Sequence, residues 1–408
     1  MKNKIIVQKY GGSSLLNEEK ILIVAEKIKK SLINNQKLIV VVSAMGDSTD
    51  NLVKLGSEFL DDEYNSENLR DFDQLLSTGE IVSASLMSLA LRKIGVKSVS
   101  LSGSKAGINT DSLHGSARIS SINSELIYEQ LKNKDVIIVA GFQGASETGE
   151  ITTLGRGGSD TSAVALAAAV NALRCEIYTD VEGIYSADPR IVPNSKLIEN
   201  ISYEEMLEMA SLGAKMHPRS IEIAAINDVA MTIKHSEKDG RGTTLKKENA
   251  KEMEIRNAVT GIPASKGVSK VTLNNIVDKP GIASSIFAPL SDLGISVDVI
   301  VQTASSGGLT NLSFTLDDNN LEACLDELIN KKVSSKKNIQ TQSGLCKVSI
   351  VGTGIQNQPG YASRMFKILS DQNINIEMIT TSEIRITCII KEQDLTTATV
   401  ALHKEFIY

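Results

Sequence analysis

The sequence predicts an α/β protein: a mostly parallel sheet sandwiched by helices, followed by two ferredoxin-like βαββαβ modules. Three observations predict it. Residues 1–245 alternate short apolar runs with helical patterns, residues 262–408 contain a doubled unit, and a charge-dense stretch, 246–256, lies between them. In the first part, residues 4–7, 38–42, 96–101 and 136–140 are Val- and Ile-rich runs bounded by Gly, Ser or Asn, and each predicts a strand. Between them, residues 18–32 and 80–94 carry apolar side chains three and four apart, which predicts helices. Strands alternating with helices form parallel sheets covered on both faces.

The doubled unit follows from an ungapped match. Shifted by 79 residues, 280–300 lies on 359–379, and 10 of 21 pairs are identical, among them Pro280/Pro359, Gly281/Gly360, Phe287/Phe366 and Asp292/Asp371. Two copies point to a paired supersecondary unit rather than a solenoid. Each copy opens with a strand (268–274 or 346–351) and a Pro-Gly turn. A helix follows, with Ile282, Ile286, Leu290 and Leu293 on one face of the first copy. Next comes a strand alternating Ile295, Val297, Val299 and Val301. Another apolar run (309–316 or 384–390) leads to an amphipathic segment carrying Leu321, Leu325, Leu328 and Ile329, or Leu395, Val400 and Leu402. That order is βαββα with room for a closing strand. An open face or edge on each sheet favours pairing with another copy.

Composition narrows the function. Lys and Arg total 43 against 49 Asp and Glu, for a net charge of −6 and 4% aromatics, a poor profile for binding nucleic acid. The most apolar stretch, 161–173, has 13 uncharged residues, short of the roughly 20 that cross a bilayer. The run Ile5–Val7 is too short for a signal-peptide core. Cys175, Cys324, Cys346 and Cys388 stand singly, as buried thiols do, so a reduced cytoplasmic location is expected. His114, His217, His235 and His403 read as structural, and no His/Cys cluster suggests a metal held by the protein.

The motifs fall at predicted strand ends and helix starts. Lys9-Tyr10-Gly11-Gly12-Ser13-Ser14 follows the first strand; it is either a tight turn or an anion cradle, and it is neither a Walker A loop nor a dinucleotide fingerprint. Ser43-Ala44-Met45-Gly46, with Thr49, follows the second and reads equally as a ligand loop or a helix cap. Ser77-Thr78-Gly79-Glu80 is expected to open an apolar helix, with Glu80 in its first turn as a dipole partner. Thr153-Leu154-Gly155-Arg156-Gly157-Gly158-Ser159-Asp160 leads into an Ala-rich helix expected to begin near Asp160. Its start suits an anion, and Arg156 among glycines suits a carboxylate. The loop from Thr179 and Asp180 through Tyr185 to Arg190 offers contacts for a base, a ribose and phosphates, and Lys215 is a further cation near a helix end.

In order and content these segments resemble those of aspartate kinase in the amino acid kinase family, whose motifs K-[FY]-G-G-[TS]-S, S-A-M-G-x-x-T, S-T-G-E, G-F-Q-G, T-L-G-R-G-G-S-D-T and T-D-V-x-G-[IV]-Y-x-x-D-P-R are matched along the whole chain. The doubled unit resembles that family's paired ACT modules. The resemblance implies the amino acid kinase fold over 1–245, a linker at 246–261, and ACT modules at 262–342 and 343–408. It implies phosphorylation of the β-carboxylate of L-aspartate to 4-phospho-L-aspartate by ATP, with Mg2+ held mainly by the phosphates. This is the first step toward lysine, threonine and methionine.

It also implies roles. Lys9 and the Gly11–Gly12 amides would neutralise the transferring phosphoryl, and Asp160 would orient phosphates and metal-bound water. Arg156 would clamp the substrate α-carboxylate and Glu80 its ammonium, while Ser43, Thr49, Gly157 and Ser159 line the substrate. Tyr10, Ser13, Thr179, Asp180, Tyr185, Arg190 and Lys215 would hold the nucleotide. A carboxylate is ionised at pH 7, so no catalytic base is needed. Kinases for glutamate, acetylglutamate or uridylate share the opening motif; S-T-G-E, G-R-G-G-S-D and the paired modules favour aspartate. A degenerate, non-catalytic sensor is opposed by intact Lys9, Glu80, Arg156 and Asp160.

The modules imply feedback by lysine, threonine or both. Asp278 would take the effector's ammonium, Gln302 its polar groups, and the backbone at Asn375 and Ile376 the remainder. The family strand often ends Gln-Asn, whereas here it ends Gln302-Thr303, which leaves the effector open. A homodimer or higher oligomer through the modules is expected. Met253 is a candidate internal start for a separate regulatory chain.

Overall fold

A computed structural model describes residues 5–32, 36–59, 66–247, 258–304, 307–331, 336–356 and 358–407. Met253 and most of the expected linker lie outside these. The chain divides into two compact units, Met1–Tyr185 with Leu197–Glu254, and Ser186–Lys196 with Ile255–Tyr408.

The first unit runs β1 (Ile5–Tyr10), α1 (Glu18–Ser31), β2 (Lys37–Val42), α2 (Ser48–Ser57), α3 (Ser66–Lys93), β3 (Ser98–Leu101), β4 (Ile108–Thr110), β5 (Ile119–Ile122), α4 (Ser124–Leu131), β6 (Val136–Ala140), β7 (Gln143–Ala145), β8 (Ile151–Thr153), α5 (Gly158–Ala169), β9 (Cys175–Thr179), β10 (Asn200–Ile201), α6 (Tyr203–Ser211), α7 (Pro218–Ile226), β11 (Met231–His235) and β12 (Thr243–Leu245). Eight strands form the main sheet in the order β10-β12-β11-β9-β1-β2-β6-β3, and β5-β4-β7-β8 form a smaller one. In the main sheet the pairs from β11 to β3 are parallel. Such strands are covered on both faces, which is why β2 and β6 read as unbroken apolar runs. On one face Ile6, Leu38, Val40 and Ile138 pack under Val24 and Ile28 of α1 and Met87 and Leu91 of α3. Burying each such side chain contributes about 1.5–3 kcal/mol. Helix α1 starts where Asn17 accepts from the Lys20 amide, with Glu18 and Glu19 in the first turn and Lys29 and Lys30 in the last, matching its dipole.

Helix α3 departs from expectation. It begins at Ser66 rather than near Ser77, so Glu80 lies mid-helix and its first-turn dipole role is corrected. Gly79 is not a break. A Cβ there would lie 2.9 Å from Ala44 Cβ, so the glycine admits the end of β2 against the helix. By length and composition the stretch from Glu67 to Lys93 could span a membrane, but 56% of its apolar window is buried inside the protein. Helix α5 starts at Gly158, two residues before the expected Asp160.

The second unit runs β13 (Ala264–Val277), α8 (Ile282–Asp292), β14 (Ile300–Gln302), β15 (Leu309–Asp317), α9 (Leu321–Asn330), β16 (Ile339–Val351), α10 (Tyr361–Asp371), β17 (Met378–Thr381), β18 (Arg385–Lys391) and α11 (Leu395–Phe406). One antiparallel sheet, β14-β15-β13-β16-β18-β17, carries both copies of the repeat. Residues 339–342 of β16 pair with 270–273 of β13, and residues 345–351 pair with β18. A single strand therefore serves both modules across the expected boundary at 342/343. Val259 and Ile262, at and beside the end of the expected linker, lie in the core of the second module with Val348, Met365 and Leu402. So do Ala187 and Val192 of the segment Ser186–Lys196, where Ser186 Oγ meets His403 Nε2 at 2.8 Å. Leu293, expected on the buried face of α8, is the C-cap residue and is exposed. The strand expected over 295–301 pairs regularly only at 300–302, with Ile295 and Val299 buried. All four cysteines are buried and free.

Candidate active site

Four neighbouring parallel strands end in step: Tyr178 of β9 is level with Tyr10 of β1, Tyr10 with Val42 of β2, and Val42 with Ala140 of β6. The four expected motif loops leave from these ends, the usual ligand edge of an open α/β sheet. Contact between the loops demands glycine. A Cβ on Gly12 would lie 2.7 Å from the Ala44 carbonyl oxygen, and the Gly46 amide donates to the Gly12 carbonyl. The Gly11 amide donates to the Tyr178 carbonyl at 3.3 Å, so this N–H, expected to face a phosphate, is engaged within the sheet edge. Gly12 begins a short 3-10 turn in which Ser13 is exposed and Ser14 buried; the Ser14 hydroxyl has no hydrogen-bond partner.

Lys9 Nζ lies 2.7 Å from Asp160 Oδ1, with side chains only 12% and 14% exposed. Asp160 sits in the first turn of α5, whose N-cap, Gly157, has φ +68°. A side chain at Gly157 would strike His217, and one at Gly141 would lie 2.8 Å from Ser159 Oγ. The start of α5 is thus held against the ends of β2 and β6.

Glu80 is 3% exposed. Its Oε1 accepts from the Ala44 amide at 3.1 Å, and its Oε2 is buried without a partner. Burial pushes its carboxyl up to about 7, against the pull of the Ala44 hydrogen bond. Ser43 and Thr49 are half-buried at the same strand end and in the first turn of α2. Arg156 is exposed and has no hydrogen bond or ion pair with any described residue, whereas its loop is tied down: Arg219 donates to the Leu154 and Ala117 carbonyls at 3.0 and 2.8 Å.

Of the nucleotide candidates, Thr179 donates to Asp180, and Lys215 Nζ reaches both Asp180 oxygens at 3.2 Å. Burial raises the Asp180 carboxyl, but the hydrogen bonds from Lys215 and Thr179 outweigh it and hold it below the usual range. Tyr185 leans on Glu182 at 3.4 Å. Two candidates lie elsewhere. The Tyr10 ring is fully buried and stacked on Tyr178 at 4.7 Å, so only its backbone reaches the edge. Arg190 is salt-bridged to Asp188 inside the segment that belongs to the second unit.

Residues 4–235 match the amino acid kinase family, and 271–331 and 348–406 each match an ACT domain. An aspartokinase of Geobacillus stearothermophilus is 43% identical over 403 residues, covering 98% of this chain and 97% of the relative. The chain belongs to the aspartate kinase family. A second relative, the aspartate kinase of Pseudomonas putida, is also 43% identical, over 98% and 97% of the two chains. Among solved structures, that of E. coli aspartokinase III with aspartate and ADP in the R-state aligns with a TM-score of 0.82 at 25% identity, over 99% of this chain and 100% of that one.

In this aspartate kinase the strand ends bring together Lys9, Gly11, Gly12, Ser43, Glu80, Ser159, Asp160 and Thr179. The expected effector residues are not brought together within one chain. Gln302 ends edge strand β14, and Asn375 and Ile376 precede the opposite edge strand β17. Five strand spacings of about 4.8 Å separate those edges by roughly 24 Å. A cavity of about 410 Å³ in the second module, lined by Gln356, Gly360, Tyr361, Thr381 and Glu383, contains none of them. The sequence reading missed Asp73, a fully buried carboxylate of α3. Its neighbours Arg70 and Asp71 look like a solvated face, and its partners are distant in sequence, although Leu69, Phe72, Leu75 and Leu76 carry a helical pattern through it.

Proposed function

We propose that this aspartate kinase transfers the γ-phosphoryl group of MgATP to the β-carboxylate of L-aspartate, giving 4-phospho-L-aspartate and ADP. The observation that carries the reading is Glu80, a buried carboxylate with one oxygen unpartnered at the edge where the glycine loops meet. A substrate ammonium would complete that oxygen and draw the carboxyl into its ionised form. Arg156, without a partner among the described residues, supplies the opposite charge for the α-carboxylate, as an amino acid zwitterion requires. Lys9 then screens the two anions that must meet, the β-carboxylate and the γ-phosphate, and Asp160 holds the lysine in place. Catalysis rests on positioning and charge rather than on a base. Magnesium enters with the nucleotide. Its ligands would come mainly from the phosphates, and Asp160 would orient its water ligands.

Thr179, Asp180, Tyr185 and Lys215 are assigned to the nucleotide. Arg190 is kept as a nucleotide candidate on the resemblance alone; it is ion-paired with Asp188. The deciding experiment supplies ATP, magnesium and L-aspartate and traps the acyl phosphate with hydroxylamine. Aspartate should be preferred; far better turnover of L-glutamate, acetylglutamate or uridylate overturns the reading.

For control, we propose that two chains join through their sheet edges, bringing Asp278 and Gln302 of one module against 375–376 of a second chain to bind lysine, threonine or both. The support is the placement of Gln302 and of 375–376 at opposite edges of one sheet, with Asp278 following β13 two strands in from the Gln302 edge. This would place the enzyme at the entry to lysine, threonine and methionine synthesis. Coupling of about 1–3 kcal/mol would shift apparent affinity roughly 5–150-fold. Titrating each amino acid, singly and together, into parent and Asp278→Ala enzyme tests it; an uninhibited parent, or a fully inhibited variant, removes the site.

A further inference from the structure

Helix α3 buries two carboxylates seven residues apart, two turns or about 10.5 Å along its axis and on one face. Glu80 has an unfilled oxygen; Asp73 has none to spare. Fully buried, Asp73 accepts from four donors on two separate segments. Oδ2 takes the Thr153 amide at 3.0 Å and His114 Nδ1 at 2.9 Å, Oδ1 takes the Thr153 hydroxyl at 2.5 Å, and the Gly115 amide lies 3.1 Å from both oxygens. Thr153 is the last residue of β8, three before Arg156. Its carbonyl accepts from the Ala117 amide at 2.8 Å, and the guanidinium of Arg219 closes the far side on Leu154 and Ala117. Midway between the two carboxylates, the Ser77 carbonyl accepts from Gln143 at 2.8 Å, fixing the same helix face to β7.

We propose that Asp73 is a positioning residue: it ties the base of the Arg156 loop to the helix that carries Glu80, and so sets the span between the two charges that receive the substrate zwitterion. A solvated aspartate on a helix face does not collect four donors, and a purely local cap does not join a helix to a strand end 80 residues further along the chain. An asparagine is the same size but cannot serve this arrangement. One of its two heads is an NH2 group, which would confront the Thr153 or His114 donors, leaving at least one buried donor unmatched. The loop would loosen while Lys9, Asp160 and the nucleotide residues stay in place.

This inference rests on the proposed roles of Glu80 and Arg156, and the test separates the two. KM for aspartate and for MgATP is measured on the full chain for the parent, Asp73→Asn, Thr153→Val and Thr153→Ser. Backbone amide exchange is followed at residues 115 and 153–158 in the same proteins. Asp73→Asn and Thr153→Val should raise the aspartate KM tenfold or more, hold the ATP KM within twofold, and speed exchange at those amides; Thr153→Ser, which keeps the hydroxyl, should restore most of the affinity. Equal changes in both KM values, or none, overturn the positioning role. A parent that ignores aspartate overturns the proposed function instead, and exchange then decides: unchanged protection at 153–158 in Asp73→Asn removes the tie. If Asp73→Asn does not fold, the Thr153 pair carries the same comparison.

Discussion

At the scale of single residues the site is a matter of which charges have partners. Lys9 and Asp160 pair as opposite charges, whereas one Glu80 oxygen has no partner and the Arg156 guanidinium has none among the described residues. Glu80 makes a prediction about pH. Its carboxyl is raised from the roughly 4.3 of an unfolded glutamate to about 7 in the folded protein. The fold therefore loses stability from this group as pH rises between those values, while the ionised form that an ammonium needs is gained. The pH profile of kcat/KM for aspartate, which reports the free enzyme, should rise through an inflection near 7 that Glu80→Gln abolishes, together with a large increase in the aspartate KM. Arg156→Lys keeps the charge but loses the two-pronged geometry. Aspartate kcat/KM should fall tenfold or more with little change in nucleotide affinity, and an unchanged kcat/KM removes the clamp. Most of these residues were legible from their motifs, because glycines beside a lone cation or anion are costly unless a ligand needs them. Their pairing was not. Lys9 and Asp160 are remote in sequence, and Asp73 sits among surface charges.

At the scale of elements, β1, β2, β3 and β6 were readable or nearly so, since buried parallel strands tend to be continuous apolar runs. The short strands β4, β5, β7 and β8 carry no such run. The first half of α3 was lost because Gly79 reads as punctuation, although it serves packing against Ala44. The doubled unit was plain from its repeat, but its sharing of β13 and β16 was not, because pairing between distant strands leaves no local mark. The close approach of the loops after β1 and β2 can be tested directly. In Gly12→Ala the new methyl would lie 2.7 Å from the Ala44 oxygen, a contact that backbone must move to relieve. The substitution should cost about 1–3 kcal/mol, read as a lowered urea midpoint with an unchanged slope, and should weaken ATP more than aspartate. Full stability would mean the loops are looser than this.

For the whole molecule, the exposed edge strands of the second unit set the expectation. Ile300, Val301 and Ile379 stand on them exposed, an arrangement that invites another sheet. Light scattering of the full chain at micromolar concentration should give a dimer or larger. Val301→Lys should keep the circular dichroism of the parent, move the mass toward a monomer, and blunt any inhibition by lysine or threonine; a parent that is cleanly monomeric, with or without ligand, removes the proposed edge pairing. The path of the backbone has a last consequence. The chain leaves the first unit after Tyr185, lends Ser186–Lys196 to the second, and returns at Leu197. A gene fragment encoding 1–245 would keep that loan without its creditor, leaving Ala187 and Val192 uncovered. One starting at Met253 would lack it, opening the surface that Val259, Ile262 and Met365 share with it. Each half expressed alone should therefore be less stable than in the full chain, read as a lower urea midpoint, and extending the first fragment's partner to include 186–196 should restore it.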